Sequence, residues 1–156
     1  MSINDIRDSV DKGQGRAYII QNGIMEDEPG ILKVSTKRTV KSRTRTPIGS
    51  RSEQTKVTGL KNEGSITVDH WATARFNSML DEYEETGIMP EFDLQVVNED
   101  ESTTVGRRVV RYYGCILNAD VSLNELEESS DDAITSDIGF IFRSKKTLED
   151  YNKPIR

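Results

Sequence analysis

Alternation of apolar and polar residues is the main pattern along this 156-residue chain. Successive side chains of a strand point to opposite faces of a sheet, so apolar residues at every second position mark a buried face. This pattern, or an apolar run typical of a central strand, occurs at 16–21, 66–70, 92–96, 107–123 and 134–142. With the hairpin described below, these segments predict six or seven strands and a mainly β fold, a β-sandwich or barrel.

One segment has the helical period instead. Four apolar residues fall at i, i+3, i+4 and i+7, so they form one stripe along an α-helix. They are Phe76, Met79, Leu80 and Tyr83. We predict a single helix over 72–86 that ends at Gly87 and packs on the sheet.

A long polar hairpin is predicted over 31–58. Residues 31–45 interleave Val and Thr with basic residues, TPIGS at 46–50 supplies Pro and Gly for a turn, and 54–58 run back. A second turn is predicted at GLKNEG, 59–64. In a regular strand Leu32, Val34, Thr36 and Val40 lie on one face, and Lys33, Lys37, Lys41, Arg43 and Arg45 on the other. An isolated two-stranded ribbon is marginally stable in water, so this hairpin requires a partner.

Positive charge is concentrated in the hairpin. Residues 33–61 hold nine Lys or Arg and one acid, a balance of +8, within a chain of net charge −6. The other 12 basic and 26 acidic residues therefore leave −14 elsewhere, clustered at 26–28, 81–85, 99–101 and 125–132.

Three interpretations of the basic hairpin follow: a solvated ribbon, a nucleic-acid-binding patch, or a surface that docks on acidic residues of another copy. The segment has no aromatic residue to stack on bases, and the net charge opposes a polyanion, so we favour docking between copies. The predicted contact residues are basic in the hairpin and acidic in the loop after 107–123. They are Lys37, Arg38, Lys41, Arg43, Arg45, Arg51, Glu125, Glu127, Glu128, Asp131 and Asp132.

Catalytic and cofactor chemistry is not predicted. A single cysteine, Cys115, excludes an internal disulfide and a cysteine zinc cluster, and a single histidine, His70, argues against a histidine metal site. GQG at 13–15 precedes a strand, whereas a phosphate loop opens a helix. The acidic runs lack EF-hand spacing, so solvated loops are expected, with loose Ca²⁺ or Mg²⁺ binding as the alternative. We expect no enzyme activity and no cofactor.

The remaining features of the sequence concern membrane or export signals and the two ends of the chain. No apolar run approaches the roughly 20 residues that cross a membrane, and 1–16 lack the apolar core of a signal peptide. We therefore expect no membrane anchor and a protein made in the cytoplasm. The predicted units are an N-terminal arm at 1–14, a β domain at 15–146 and a C-terminal arm at 147–156.

The order of these segments resembles the tube proteins of contractile phage tails, in particular those of PBSX-like prophage tails and R-type bacteriocins. The resemblance runs from KGQGRAYIIQNG through IGSR near the hairpin tip and TKVTGLKNEGSITV on its return to the helix ARFNSMLDEYEETG. It continues through PEFDLQVVNEDES and GRRVVRYYGCILNADVSLNELEE and closes at DIGFIF. No single motif is diagnostic, and the co-linear order carries the resemblance. The longer N-terminal arm and the strongly basic hairpin depart from the family pattern.

This resemblance implies an assembly. Subunits of such tubes form hexameric rings whose strands build a continuous barrel around a lumen, and rings stack into a tube inside a contractile sheath. The implied partners are other copies of the chain, the sheath protein, baseplate and tail-terminator proteins, and DNA that passes through without specific binding. The implied location is the virion tail, assembled in the host cytoplasm. The open alternatives are the tube of a DNA-free bacteriocin or extracellular injection system and, in another class, a nucleic-acid-binding module.

Overall fold

The computed structural model describes residues 6–8, 15–118, 121, 123–124, 126–127 and 132–155. These residues form eight strands and one α-helix, which confirms the predicted mainly β class. The elements are β1 (Gly15–Gln21), β2 (Ile24–Asp27), β3 (Ile31–Arg45), β4 (Gln54–Asp69), α1 (Thr73–Thr86), β5 (Phe92–Glu99), β6 (Arg107–Leu117), β7 (Thr135–Ile141) and β8 (Ser144–Glu149), with 3₁₀ turns at Ile6–Asp8 and His70–Ala72.

All strand pairs are antiparallel, in the order β2-β1-β5-β6-β7-β4-β3, with β8 also on β6. β6 joins the two halves of the sheet, because its residues up to Tyr113 pair with β8, whereas Ile116 and Leu117 pair with β7. Gly114 lies at this corner with a φ of +63°. A Cβ there would lie 2.7 Å from the Arg143 guanidinium, so the corner favours glycine.

Three fully enclosed phenylalanines connect the two halves of the sheet with the helix. The Phe92 ring on β5 lies 6.4 Å from the Phe76 ring on α1 and 6.4 Å from the Phe140 ring on β7, measured between centroids. The buried alternating residues predicted at 66–68 and 138–140 complete this core. Its main aliphatic members are Ile19, Ile66, Val68, Leu94 and Ile138.

The helix agrees with its predicted stripe. Phe76 and Met79 are buried, whereas Tyr83 at the far end is half exposed. Gly87 adopts the left-handed conformation, with a φ of 74°, and its N–H donates to the Tyr83 carbonyl at 2.8 Å, as expected for a glycine C-cap. The helix begins at Thr73, one residue after the predicted start.

An arginine near the start of the helix attaches it to β2. The Arg75 guanidinium forms ion pairs with Glu26 of β2 and with Glu28 just after it, the latter with Nε 3.2 Å from Oε2. Glu28 is buried. Its carboxylate therefore has a charged partner on the helix, as a buried acid requires.

The predicted turn at 59–64 is wrong. β4 runs without interruption from Gln54 to Asp69, because β3 pairs along it and β7 pairs with its second half. Gly64 is required there by packing, since a Cβ would lie 2.6 Å from the Phe140 ring.

Three further strand predictions need correction. The acidic run at 26–28, expected to be a loop, lies partly in β2, which pairs with β1 up to Asp27. The strand predicted to reach residue 123 ends at Leu117, after which the Asn118 N–H donates to the Gly139 carbonyl. β8 was not predicted; it is mostly polar and exposed along its length. It spans the predicted boundary at 146, and that boundary and the one at 14 stay predictions.

Charge pairs and a ring contact fix β8 and the residues after it. Arg107 Nε donates to Glu149 at 2.7 Å, and Arg108 Nε donates to Asp150 at 2.8 Å. The Arg108 hydrogen bond lowers the pKa of Asp150, and its guanidinium lies 4.6 Å from the centre of the Tyr151 ring. These contacts with β6 explain how a strand without an apolar face finds its place.

Candidate assembly interface

The β3–β4 hairpin extends far beyond the rest of the sheet. β3 and β4 pair from Ile31 opposite Val68 to Arg45 opposite Gln54, whereas β7 accompanies β4 only over Glu63–Asp69. Residues 39–61, named here the distal hairpin, therefore have no third strand in the described part of the chain. Both faces of this ribbon are open.

One face of the hairpin is cationic, and the basic residues predicted to share a face do so. The register places two lysines of β4 on the same face, since Arg43 lies opposite Lys56 and Thr39 lies opposite Lys61. This cationic face consists of Lys33, Lys37, Lys41, Arg43, Arg45, Lys56 and Lys61.

Only the base of the cationic face is neutralised by described residues. Lys37 Nζ lies 3.2 Å from Glu63 Oε1, and Lys61 Nζ lies 3.6 Å from Glu63 Oε2. The Lys37 hydrogen bond is the main reason that the pKa of Glu63 is lowered. Farther out, the cations form no ion pair with any residue the structure describes. These are Lys41, Arg43, Arg45 and Lys56.

The other two predicted basic residues lie apart from this face. Arg38 is on the opposite face, where its Nε donates to the Asn62 side-chain oxygen at 2.9 Å. Arg51 is exposed in the tip between the two strands. The structure thus brings Lys37, Lys41, Arg43 and Arg45 together on one face. It does not bring the other two predicted basic residues to that face.

The predicted acidic partners are only partly described. Glu127 and Asp132 are exposed, whereas Glu125, Glu128 and Asp131 lie outside the described residues. A second acidic surface lies on the last two turns of α1, where four exposed carboxylates form no ion pair within the described ranges. They are Asp81, Glu82, Glu84 and Glu85.

Two edges of the β3–β4–β7 part of the sheet have no continuous neighbour among the described strands. β3 pairs only with β4, along all its length. β7 pairs with β4, but on its other side only Phe140 and Ile141 pair with β6, and the Gly139 carbonyl accepts from the Asn118 N–H. An edge strand presents unpaired N–H and C=O groups, which can bind a strand of another chain.

Comparison with known proteins identifies the family. Residues 7–150 match the phage tail tube protein family. The chain belongs to this family. The sequence resemblance to tail tube proteins is therefore confirmed, and membership indicates a structural protein rather than an enzyme. A search of curated proteins found no match.

Solved structures similar to this tail tube family member come from an anti-feeding prophage, an extracellular contractile injection system and a gene transfer agent particle. A chain of an anti-feeding prophage baseplate has 9% identity and a TM-score of 0.65, with 95% of this chain and 97% of that chain covered. A chain of the PVC sheath/tube terminator, from an extracellular contractile injection system, has 7% identity, a TM-score of 0.60, and 86% and 94% coverage. A chain of a gene transfer agent virion has 14% identity, a TM-score of 0.51, and 86% and 96% coverage. These likenesses confirm the fold.

Cys115 and the metal-ligating side chains are the remaining candidates for bound chemistry in this tail tube family member. The described residues hold no cluster of three metal-ligating side chains, and none of their helices is long and apolar enough to span a membrane. Cys115 is fully buried, and burial raises the pKa of its thiol to about 12. It is therefore a packed thiol without the thiolate character that reactivity requires.

Proposed function

We propose that this protein polymerises as stacked hexameric rings into the inner tube of a contractile tail, which penetrates the host envelope and conducts DNA. The observation that carries the proposal is the distal hairpin, a ribbon open on both faces whose outer cations have no described partner. Family membership supports it, because a tube subunit must bury such surfaces against other copies. The number six rests on the family resemblance.

Strand pairing between copies would close each ring. The β3 edge of one copy and the β7 edge of the next are different surfaces, so pairing them makes a head-to-tail contact. Head-to-tail contacts repeat around an axis and generate rings when the rotation closes. A closed ring of strands leaves no exposed sheet edge, which favours the barrel.

Charge complementarity would set how rings stack. The cationic face of each hairpin would meet acidic groups of copies in the adjacent ring, in a chain whose remainder carries −14. Such complementarity fixes register and orientation. The proposed acidic partners are Glu125, Glu127, Glu128, Asp131 and Asp132, with the carboxylates of α1 as the second surface.

The same assembly defines the other proposed partners. We infer contacts with a sheath protein, a baseplate and a tail terminator, which the origins of the similar structures support. DNA would pass through the lumen without specific binding, after assembly in the host cytoplasm and within the virion tail. A DNA-free bacteriocin or injection particle would use the same tube and is the nearest alternative.

Sedimentation velocity with and without duplex DNA, over a series of salt concentrations, separates assembly from nucleic-acid binding. The tube proposal predicts large assemblies without DNA. The alternative function, favoured by the exposed cations, predicts a monomer that associates only with DNA, with an affinity that falls steeply as salt rises. That second result would refute the tube proposal.

A further inference from the structure

The face of the distal hairpin opposite the cations is apolar and exposed. Val40 lies opposite Leu60, and Val57 lies opposite Ser42, two positions farther along the same face. The three apolar side chains are 58%, 51% and 61% exposed, for Val40, Leu60 and Val57 respectively. This set, named here the apolar stripe, is contiguous and lies on a ribbon that otherwise carries polar side chains.

A β-bulge creates the apolar stripe. Val57 and Leu60 are three residues apart, so a regular strand would place them on opposite faces. The register shifts by one residue at Lys41/Ser42, which leaves Thr58 as the extra residue of β4 and brings Val57 to the face of Leu60. The same shift moves Lys56 to the cationic face. Within the distal hairpin, the bulge thus places Val57 with the apolar residues and Lys56 with the basic ones.

The apolar stripe lies on the same face as residues that pack inside the subunit, with the polar pair of Arg38 and Asn62 between the two groups. Closer to the sheet, the same face carries Ile66, Val68 and Val34, of which the first two are fully buried in the core. The hairpin therefore carries apolar residues beyond the hydrophobic core of its own subunit. A face of this kind is buried when a second apolar layer covers it, and the described residues of one copy do not provide such a layer for the distal hairpin.

We propose that the apolar stripe docks on a second copy of this chain. This inference rests on the proposed tube and specifies one of its contacts. Charge favours a second copy as the occupant, because Arg38 lies on the face of the stripe within a segment of charge +8, and the rest of each copy carries −14. Because the two faces point in opposite directions, the copy that covers the stripe differs from the copy that meets the cationic face. Each distal hairpin would then join three copies.

The test replaces the apolar stripe without disturbing the subunit. The variant Val57→Thr with Leu60→Thr keeps β-forming side chains on exposed positions, so circular dichroism and thermal unfolding of the monomer should be unchanged. We expect the critical concentration for polymerisation to rise by about tenfold or more. The rise should be equal at low and high salt, because apolar contact is not screened as charge contact is.

The matched control is Ile88→Thr with Leu148→Thr, two exposed apolar residues outside the hairpin, at 73% and 48% exposure. The control should polymerise like the wild type. Polymerisation of the Val57/Leu60 variant at the wild-type concentration, or an equal defect in the control, would overturn the inference while leaving the tube proposal intact. A wild-type protein that never polymerises would overturn both.

A labelling measurement tests the same inference with a smaller change to the contact face. A Val57→Cys variant has one exposed thiol, since Cys115 is fully buried. Maleimide should label this thiol quickly in the monomer. In the polymer, labelling should be slower by a factor of about ten or more, because docking closes the stripe to the reagent. Ile88→Cys should label at similar rates in both. Equal labelling of Val57→Cys in monomer and polymer would contradict docking at the stripe.

Discussion

A variant with Lys41→Glu, Arg43→Glu and Arg45→Glu is expected to fold normally and to lose tube growth. These three residues share the cationic face, are exposed, and have no described ion-pair partner to lose within the subunit. Against an acidic neighbour, reversal replaces attraction with like-charge repulsion, which costs several kcal/mol, so we expect the critical concentration to rise by about 100-fold or more. Sedimentation and circular dichroism measure assembly and folding.

A control must separate the effect of the changed net charge from the effect of where the charges lie. Each reversal changes the charge by −2, so three take the chain from −6 to −12. The matched control, Lys145→Glu, Lys146→Glu and Lys153→Glu, makes the same change at exposed lysines outside the hairpin. Tubes from the control and none from the hairpin variant would support docking. Normal tubes from the hairpin variant would refute it.

The second large effect is expected in the core. Phe92→Ala should lower the free energy of unfolding by about 3–5 kcal/mol, because it removes the ring that contacts both α1 and β7 and leaves a cavity among enclosed neighbours. Phe92 is 2% exposed. Urea unfolding followed by circular dichroism, under conditions where the protein is monomeric, measures the loss.

Tyr83→Ala provides the comparison on the same helix-to-sheet layer. Tyr83 is 49% exposed, so truncation should cost about 1 kcal/mol or less. A loss at Phe92 no larger than that at Tyr83 would contradict the role given to Phe92 in joining the two halves of the sheet.

Local periodicity was sufficient to predict an element wherever the element is defined by one buried face of its own residues. The alternation at 66–68 and 138–140, the helical stripe and the Gly87 cap all concern neighbours within a few residues. The two glycines at 59 and 64 are strong local turn signals, yet β4 continues through them because β3 and β7 pair with it from distant parts of the chain. Tertiary pairing overrides local turn preference there.

Features that depend on pairing with a distant strand could not be predicted from the sequence. β8 has no apolar face, and only its pairing with β6 and the ion pairs of Arg107 and Arg108 place it. The apolar stripe was hidden because Val57 and Leu60 have a spacing that signals a common face only when a bulge intervenes. Arg38, by contrast, could have been assigned to the other face from the sequence, because alternation places even-numbered residues of β3 opposite the odd-numbered basic residues.

Electron microscopy of the purified protein, in negative stain and without DNA, tests the central claim most directly. The account predicts rings with six-fold symmetry that stack into tubes of uniform width. A protein that stays monomeric at all concentrations and salt conditions, and binds duplex DNA in that state, would contradict it.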